Sequence, residues 1–300
     1  MANTKKTVKK KKKWHNTEIV AMIVLTLLAI LIVVPFWNAI VISFESAAEY
    51  TRHPFSWLPR KFTLENYKYL LGRGSALLSA YRSTILLTIG GTAAGMTVST
   101  MVAYAYSRDF PGRKLFFRMM ILTMFLGGGV IPTYMLIRNL GLLDTYTGIV
   151  LLSLASSYNI IIMKNGFEAV PMDLQDAAMI DGASDMKIFF LIMLPLQKPL
   201  LATFSLFSAV GYWNTWYWPL LLLNSGKKSV LQLFLRSIIN NASRSNMAAK
   251  TLSSVARQTN LFSEGIQMAS VFAVMLPIMV VYPFLQKYFV KGVLIGAVKM

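Results

Sequence analysis

The 300-residue chain contains no cysteine. Disulfides, thiolate metal sites and cysteine nucleophiles are therefore excluded. Its two histidines, His15 and His53, are too few for a histidine metal cluster. Charge is scarce as well: 14% of the residues are charged, against roughly 25% in a soluble domain. Acids are scarcest, 12 against 30 Lys and Arg, for a net charge of +18. A phosphate-binding loop is also missing, because Gly226-Lys227-Lys228-Ser229 lacks the upstream glycine of G-x-x-x-x-G-K-[ST]. The chain is expected to be no ATPase and to carry no cofactor or metal of its own.

What is abundant is apolar. Hydrophobic residues make up 55% of the chain, and the mean hydropathy is +0.54. Bare apolar runs of roughly 20 residues recur, the length that crosses a bilayer. The basic excess fits positive-inside anchoring. A nucleic-acid role is set aside, because the basic residues are dispersed around the apolar runs.

The fold class expected is all-α integral membrane with six transmembrane helices. Residues 1–18 form a basic tail, with Lys5, Lys6 and Lys9 to Lys13, too poor in apolar residues to fold and read as a cytoplasmic anchor. The first span covers 19–44. With Ser46-Ala47-Ala48 behind it, it resembles a signal peptide, but the run exceeds the usual roughly 7–15 residues, so an uncleaved helix is expected. Residues 45–80, broken by Pro54, Pro59, Gly72 and Gly74, suit an outer loop. Further spans are expected over 83–106, 115–137, 148–163, 200–223 and 266–289. In the second, Gly91 and Gly95 form a small-xxx-small pair suited to close helix approach. Gly127-Gly128-Gly129 and Pro132 break the third near its outer end.

This order puts 164–199 and the tail 291–300 inside, 224–265 outside, and both termini in the cytoplasm of a bacterial cell. The seven tail lysines are then joined inside by Arg108, Arg113, Lys114, Arg118, Lys164, Lys187, Lys198, Lys287, Lys291 and Lys299, making 17 of the 30 basic residues. The middles of the spans hold no Asp, Glu, Lys or Arg. That argues against a stand-alone secondary carrier, which ordinarily needs intramembrane ionisable groups.

Five of the 12 acids crowd one inner stretch: Glu168, Asp173, Asp176, Asp181 and Asp185. Pro171 is placed to open a short helix running to Ile180, with Asp173 and Asp176 near its positive end. Gly182 is the residue expected at a helix stop. Ser184 is a candidate N-cap for a second helical piece, which Pro195 ends. Ala177 and Ala178 give the first helix a low profile suited to a groove on another protein. From composition alone the stretch also reads as an ordinary solvated loop helix.

The same stretch resembles the EAA loop of binding-protein-dependent ABC importer permeases: E-A-A, three residues, G, nine residues, then I-x-L-P. Asp176-Ala177-Ala178, Gly182 and Ile192-Met193-Leu194-Pro195 stand at that spacing, with Asp in place of Glu. Asp181-Gly182-Ala183, Pro199, and Trp213-Asn214 before Pro219 resemble the carbohydrate-type permeases, the group of the maltose system's smaller permease. Gly127 through Tyr134, Gly141-Leu142-Leu143-Asp144 and Tyr282 through Phe289 resemble a complex-oligosaccharide subgroup. The resemblance implies a type I ABC importer permease domain over 80–290 with a coupling loop at 167–199. ATPase coupling would fall to Asp176, Ala177, Ala178, Asp181, Gly182, Ala183, Leu194 and Pro195. It also implies partners: a second, homologous permease, two ATPase subunits that bind the ATP and Mg, and an extracellular solute-binding protein that delivers an oligosaccharide. A permease of this fold for an amino acid or peptide is the alternative.

Tyr212-Trp213-Asn214-Thr215-Trp216-Tyr217-Trp218 is an aromatic run in the fifth span. Trp and Tyr often mark the membrane interface. Aromatic faces beside an amide equally suit sugar rings and hydroxyls, which makes Trp213, Asn214 and Trp216 candidates for the substrate path.

Overall fold

A computed structural model describes residues 16–72, 75–224, 228–240 and 263–297. The basic tail before residue 16, the Gly226-Lys227 pair, most of the expected outer loop 224–265 and the last three residues lie outside them. Every regular element among the described residues is helical. The chain divides into two compact units.

The first unit comprises the chain up to Asn66 together with 261–272. Helix α1 (Asn16–Ser43) runs through Pro35, and its residues 19–33 are all exposed. Its C-terminal end alone is buried, at Val41, Ile42 and Ser43. The segment behind it is not an open loop. The buried Asn66 Nδ2 donates to the carbonyls of Ser43 (3.0 Å) and Glu45 (3.1 Å), while Phe44 stacks on Phe62 at 5.1 Å. Two short helices, α2 (Ala47–Arg52) and α3 (Glu65–Leu71), lie within the stretch expected to be irregular.

The second unit comprises 67–260 and 273–300. Helix α4 (Ala76–Ser107) is its spine. Ser75 caps it by accepting from Leu77 N at 3.1 Å. The expected close approach at Gly91 and Gly95 is realised. A Cβ on Gly91 would stand 2.5 Å from the Tyr212 ring, and one on Gly95 would stand 3.1 Å from the Leu154 carbonyl oxygen. Toward its Ala76 end, α4 meets Ile137, Ile149 and Leu222 around the buried Leu87. Toward its Ser107 end, Ala103 and Tyr104 meet Met163, Phe167, Ile188, Phe189 and Met193.

Three expected spans are not single helices. The third is split into α5 (Arg113–Leu122) and α6 (Val130–Asn139), so its break falls at the middle and not near one end; Gly129 takes φ +78° there. The fourth is split into α7 (Tyr146–Leu152) and α8 (Ser157–Glu168), bent by 59°, with Ser156 capping the second piece. The fifth begins with a helix at Lys198–Trp213, ends it at Asn214, and resumes at Tyr217–Leu222. Residues 231–240 form a further helix, and the last runs Ser263–Ala297. Among the described residues, three helices qualify as spans by length and composition, or up to five if the bent pairs Tyr146–Leu152 with Ser157–Glu168 and Asp185–Leu196 with Lys198–Trp213 each count as one.

Candidate functional site

The EAA-like residues fall on a helix, a turn and a second helix. Helix α9 (Met172–Ile180) starts behind Pro171, as the sequence predicts. It ends in a Schellman turn: Gly182 N donates to Met179 O (3.0 Å) and Ala183 N donates to Ala178 O (2.9 Å). That turn needs a left-handed residue, and Gly182 supplies φ +77°. Ser184 then caps α10 (Asp185–Leu196) by accepting from Lys187 N at 3.4 Å. Phe189–Met193 within α10 forms a π-helical turn. Helix α10 meets α11 (Lys198–Trp213) at an 82° bend.

Two contacts the sequence did not flag fix this assembly. Gln175 points inward, only 3% exposed, and its Oε1 accepts from Arg108 Nη1 at the end of α4. The other arm of the same guanidinium reaches Asp185 Oδ1 at 3.1 Å, and its carbon lies 5.7 Å from the centre of the Tyr104 ring. One arginine thus holds both helical pieces of the loop against α4. Behind it, Tyr104 packs on Phe189 (4.9 Å) and Phe167 (5.8 Å). The signal in the sequence was a lone amide, Gln175, set between Asp173 and Asp176. Its inward direction depends on how the loop returns to α4.

The candidate coupling residues separate onto two sides. Ala178, Ala183 and Leu194 pack against the chain's own core. Asp176, Ala177, Asp181 and Pro195 are exposed, and Gly182 forms the turn between α9 and α10. Ala178, expected to give α9 a low profile toward a partner, is partly buried against this chain's own core. The outward apolar surface is made by Met172, Leu174, Met179 and Ile180, the last 86% exposed.

The aromatic run lies at the far end of α11. Asn214 ends that helix; its Nδ2 donates to Val210 O (3.0 Å) and its Oδ1 accepts from Gln232 Nε2 (3.1 Å). The Arg236 guanidinium stands 3.6 Å from the centre of the Trp216 ring. The half-buried Trp213 has an indole N–H that meets no acceptor among the described residues. Asn214 and Trp216 are thus joined by Gln232 and Arg236 from the 231–240 helix, which lies within the stretch 224–265 expected to be an outer loop. Among the described residues no cluster of three His, Asp or Glu forms a metal site.

Residues 77–295 match the family described as binding-protein-dependent transport system inner membrane component. The polygalacturonan/rhamnogalacturonan transport system permease protein YtcP of Bacillus subtilis is 37% identical over 92% of this chain and 95% of its own length. Protein LplC of the same organism is 39% identical over 89% of each chain. The arabinooligosaccharides transport system permease protein AraQ, also from Bacillus subtilis, is 30% identical over 80% of each. Among solved structures, a bacterial ABC transporter involved in import of the acidic polysaccharide alginate superposes with a TM-score of 0.82. It is 29% identical and covers 93% of this chain and all of that one.

Proposed function

This chain belongs to the family of binding-protein-dependent transport system inner membrane components, and from that premise we propose that it is a permease subunit of an ATP-driven oligosaccharide importer. Such a subunit is not an enzyme; ATP hydrolysis is the work of separate ATPase subunits. The sugar assignment is supported by relatives whose names specify polygalacturonan, rhamnogalacturonan and arabinooligosaccharides.

The observation that carries the coupling role is the exposed apolar face of α9, ending at Ile180 and seated on a base that Arg108 ties to α4. Solvent-facing Met and Ile in a cluster mark a protein contact. The assigned occupant is an ATPase subunit, with Asp176, Ala177, Asp181 and Gly182 at the contact. Ala178, Ala183 and Leu194 support the loop from behind, and the exposed Pro195 stands near the end of α10. A push on α9 then passes to α4 through Arg108 and the Tyr104 ring stack, and to α11 through the 82° bend. The second, homologous permease forms the other half of the pathway, and an extracellular binding protein delivers the sugar. Trp213, Asn214 and Trp216 line the path. The broken helices are read as bent spans. With the split third one counted, they make six, with 1–18, 164–199, 291–300 and both termini cytoplasmic.

Co-expression with an ATPase subunit tests the reading: the two should purify together and hydrolyse ATP faster with loaded binding protein. Hydrolysis by this chain alone would overturn it. For sidedness, a cysteine at Ser184 should resist an impermeant reagent applied to intact cells.

A further inference from the structure

A cavity of about 530 Å³ opens beside the turn between α4 and α5, far from the aromatic run on α11. Its walls include Asp109, Phe110, Arg113, Lys114, Phe117 and Lys164. We propose that it binds the headgroup of an anionic phospholipid. The proposal rests on the membrane-spanning reading above and adds a ligand to it.

Charge comes first. Lys164 is buried, 9% exposed, with Nζ 2.6 Å from Glu168 Oε2 and 5.2 Å from the centre of the Phe117 ring. Arg113 bridges Asp109 at 2.6 Å and Glu168. Those two cations and two acids cancel formally. Lys114 is exposed and pairs with no acid among the described residues, so the cavity keeps one net positive charge. A phosphodiester carries one negative charge. The paired cations retain donors for its oxygens, while Phe110 and Phe117 supply apolar walls.

Depth comes second. Helix α4 has 32 residues, about 48 Å of rise, against a hydrocarbon core of about 30 Å. A turn at its end therefore sits at headgroup level. The apolar path comes third. Leu115, Phe116, Met119 and Leu122 on α5 are exposed directly beyond the basic turn. Acyl chains hung from a headgroup in the cavity would lie along them. A free phosphate would make no use of that stripe, which is why a lipid is assigned.

The test is native mass spectrometry of the assembled transporter, exchanged into mixed micelles of phosphatidylglycerol and phosphatidylcholine. The wild type should retain phosphatidylglycerol preferentially. Lys114→Gln should lower that preference about fivefold, Lys114→Arg should keep it, and the distant Lys68→Gln should leave it unchanged. Inorganic phosphate should not displace the lipid. Equal retention of the two lipids by the wild type, or full retention in Lys114→Gln, would overturn the proposal. Displacement by phosphate would reassign the cavity to a soluble anion. Because the ATPase subunit and the lipid are weighed in one spectrum, loss of the lipid with the ATPase still bound fails this proposal alone.

Discussion

Arg108 and Gln175 are 67 residues apart in the chain, yet they meet side chain to side chain where α4 ends against α9. The amide is buried, while Asp185, the second partner of Arg108, is largely exposed. The two contacts are therefore unequal. Removing Arg108 strands a buried amide, which costs about 1–3 kcal/mol. Removing the exposed carboxylate costs at most about 1 kcal/mol. We predict that Arg108→Ala lowers the melting temperature of the assembled transporter and sharply reduces uptake. Asp185→Asn should shift neither by much. Lys at 108 should rescue only partly, since a single ammonium cannot span both partners as a guanidinium fork does. Equal effects of Arg108→Ala and Asp185→Asn would show that the ion pair carries the grip.

Gly182 is constrained by its backbone alone. Its φ is +77°, and a Cβ built on it has no neighbour within 4 Å. Substitution therefore brings conformational strain without collision inside this chain. A β-branched residue should cost about 1–2 kcal/mol or re-aim α10. Asn, which tolerates the left-handed region, should cost less. The expected order of uptake is Gly, then Asn, then Val, with membrane insertion unchanged in all three. If Asn were as damaging as Val, a partner pressing on the turn would be the cause, and crosslinking from position 182 would find it.

Gly91 and its neighbour Gly90 give an internal contrast. A Cβ at Gly91 would lie 2.5–2.8 Å from the Tyr212 ring, whereas Gly90 has nothing within 4 Å. Gly91→Val should destabilise the permease by about 1–3 kcal/mol, the usual cost of overpacking. Gly90→Ala should be neutral within error in the same thermal assay. Matching losses at both positions would mean that the face of α4 bearing Gly90 is also covered, by a partner chain.

Much of this was legible in the residues. Pro171, Gly182 and Ser184 each carry a local rule, and each rule holds: start, left-handed stop and cap. The helix-packing role of Gly91 and Gly95 followed from side-chain size. The break at 123–129 holds the glycine run that marks it in the sequence, but those at 153–156 and 214–216 were harder to read, because hydropathy alone does not register a bend. The direction of side chains on α9 was illegible for another reason. A helix of nine residues with alanine, methionine and aspartate on every side has no clear apolar stripe, so only the return of the chain to α4 decides that Gln175 and Ala178 face inward.

That direction separates two variants that the motif alone would treat alike. Ala178 packs against the core formed by Tyr104, Phe167 and Phe189, while Ile180 projects away from it. Trp at 178 must displace that aromatic cluster, so it should lower melting temperature and yield of the permease itself, with or without ATPase present. Glu at 180 removes an exposed apolar side chain and changes nothing inside. Ile180→Glu should therefore leave insertion and melting temperature at wild-type values, yet reduce co-purified ATPase and abolish uptake. Thermal unfolding in detergent and ATPase stoichiometry after affinity purification read the two effects separately. Full ATPase binding in Ile180→Glu would mean that the apolar end of α9 is not the docking face. Wild-type stability in Ala178→Trp would mean that α9 lifts from the core easily, and that Arg108 alone holds it.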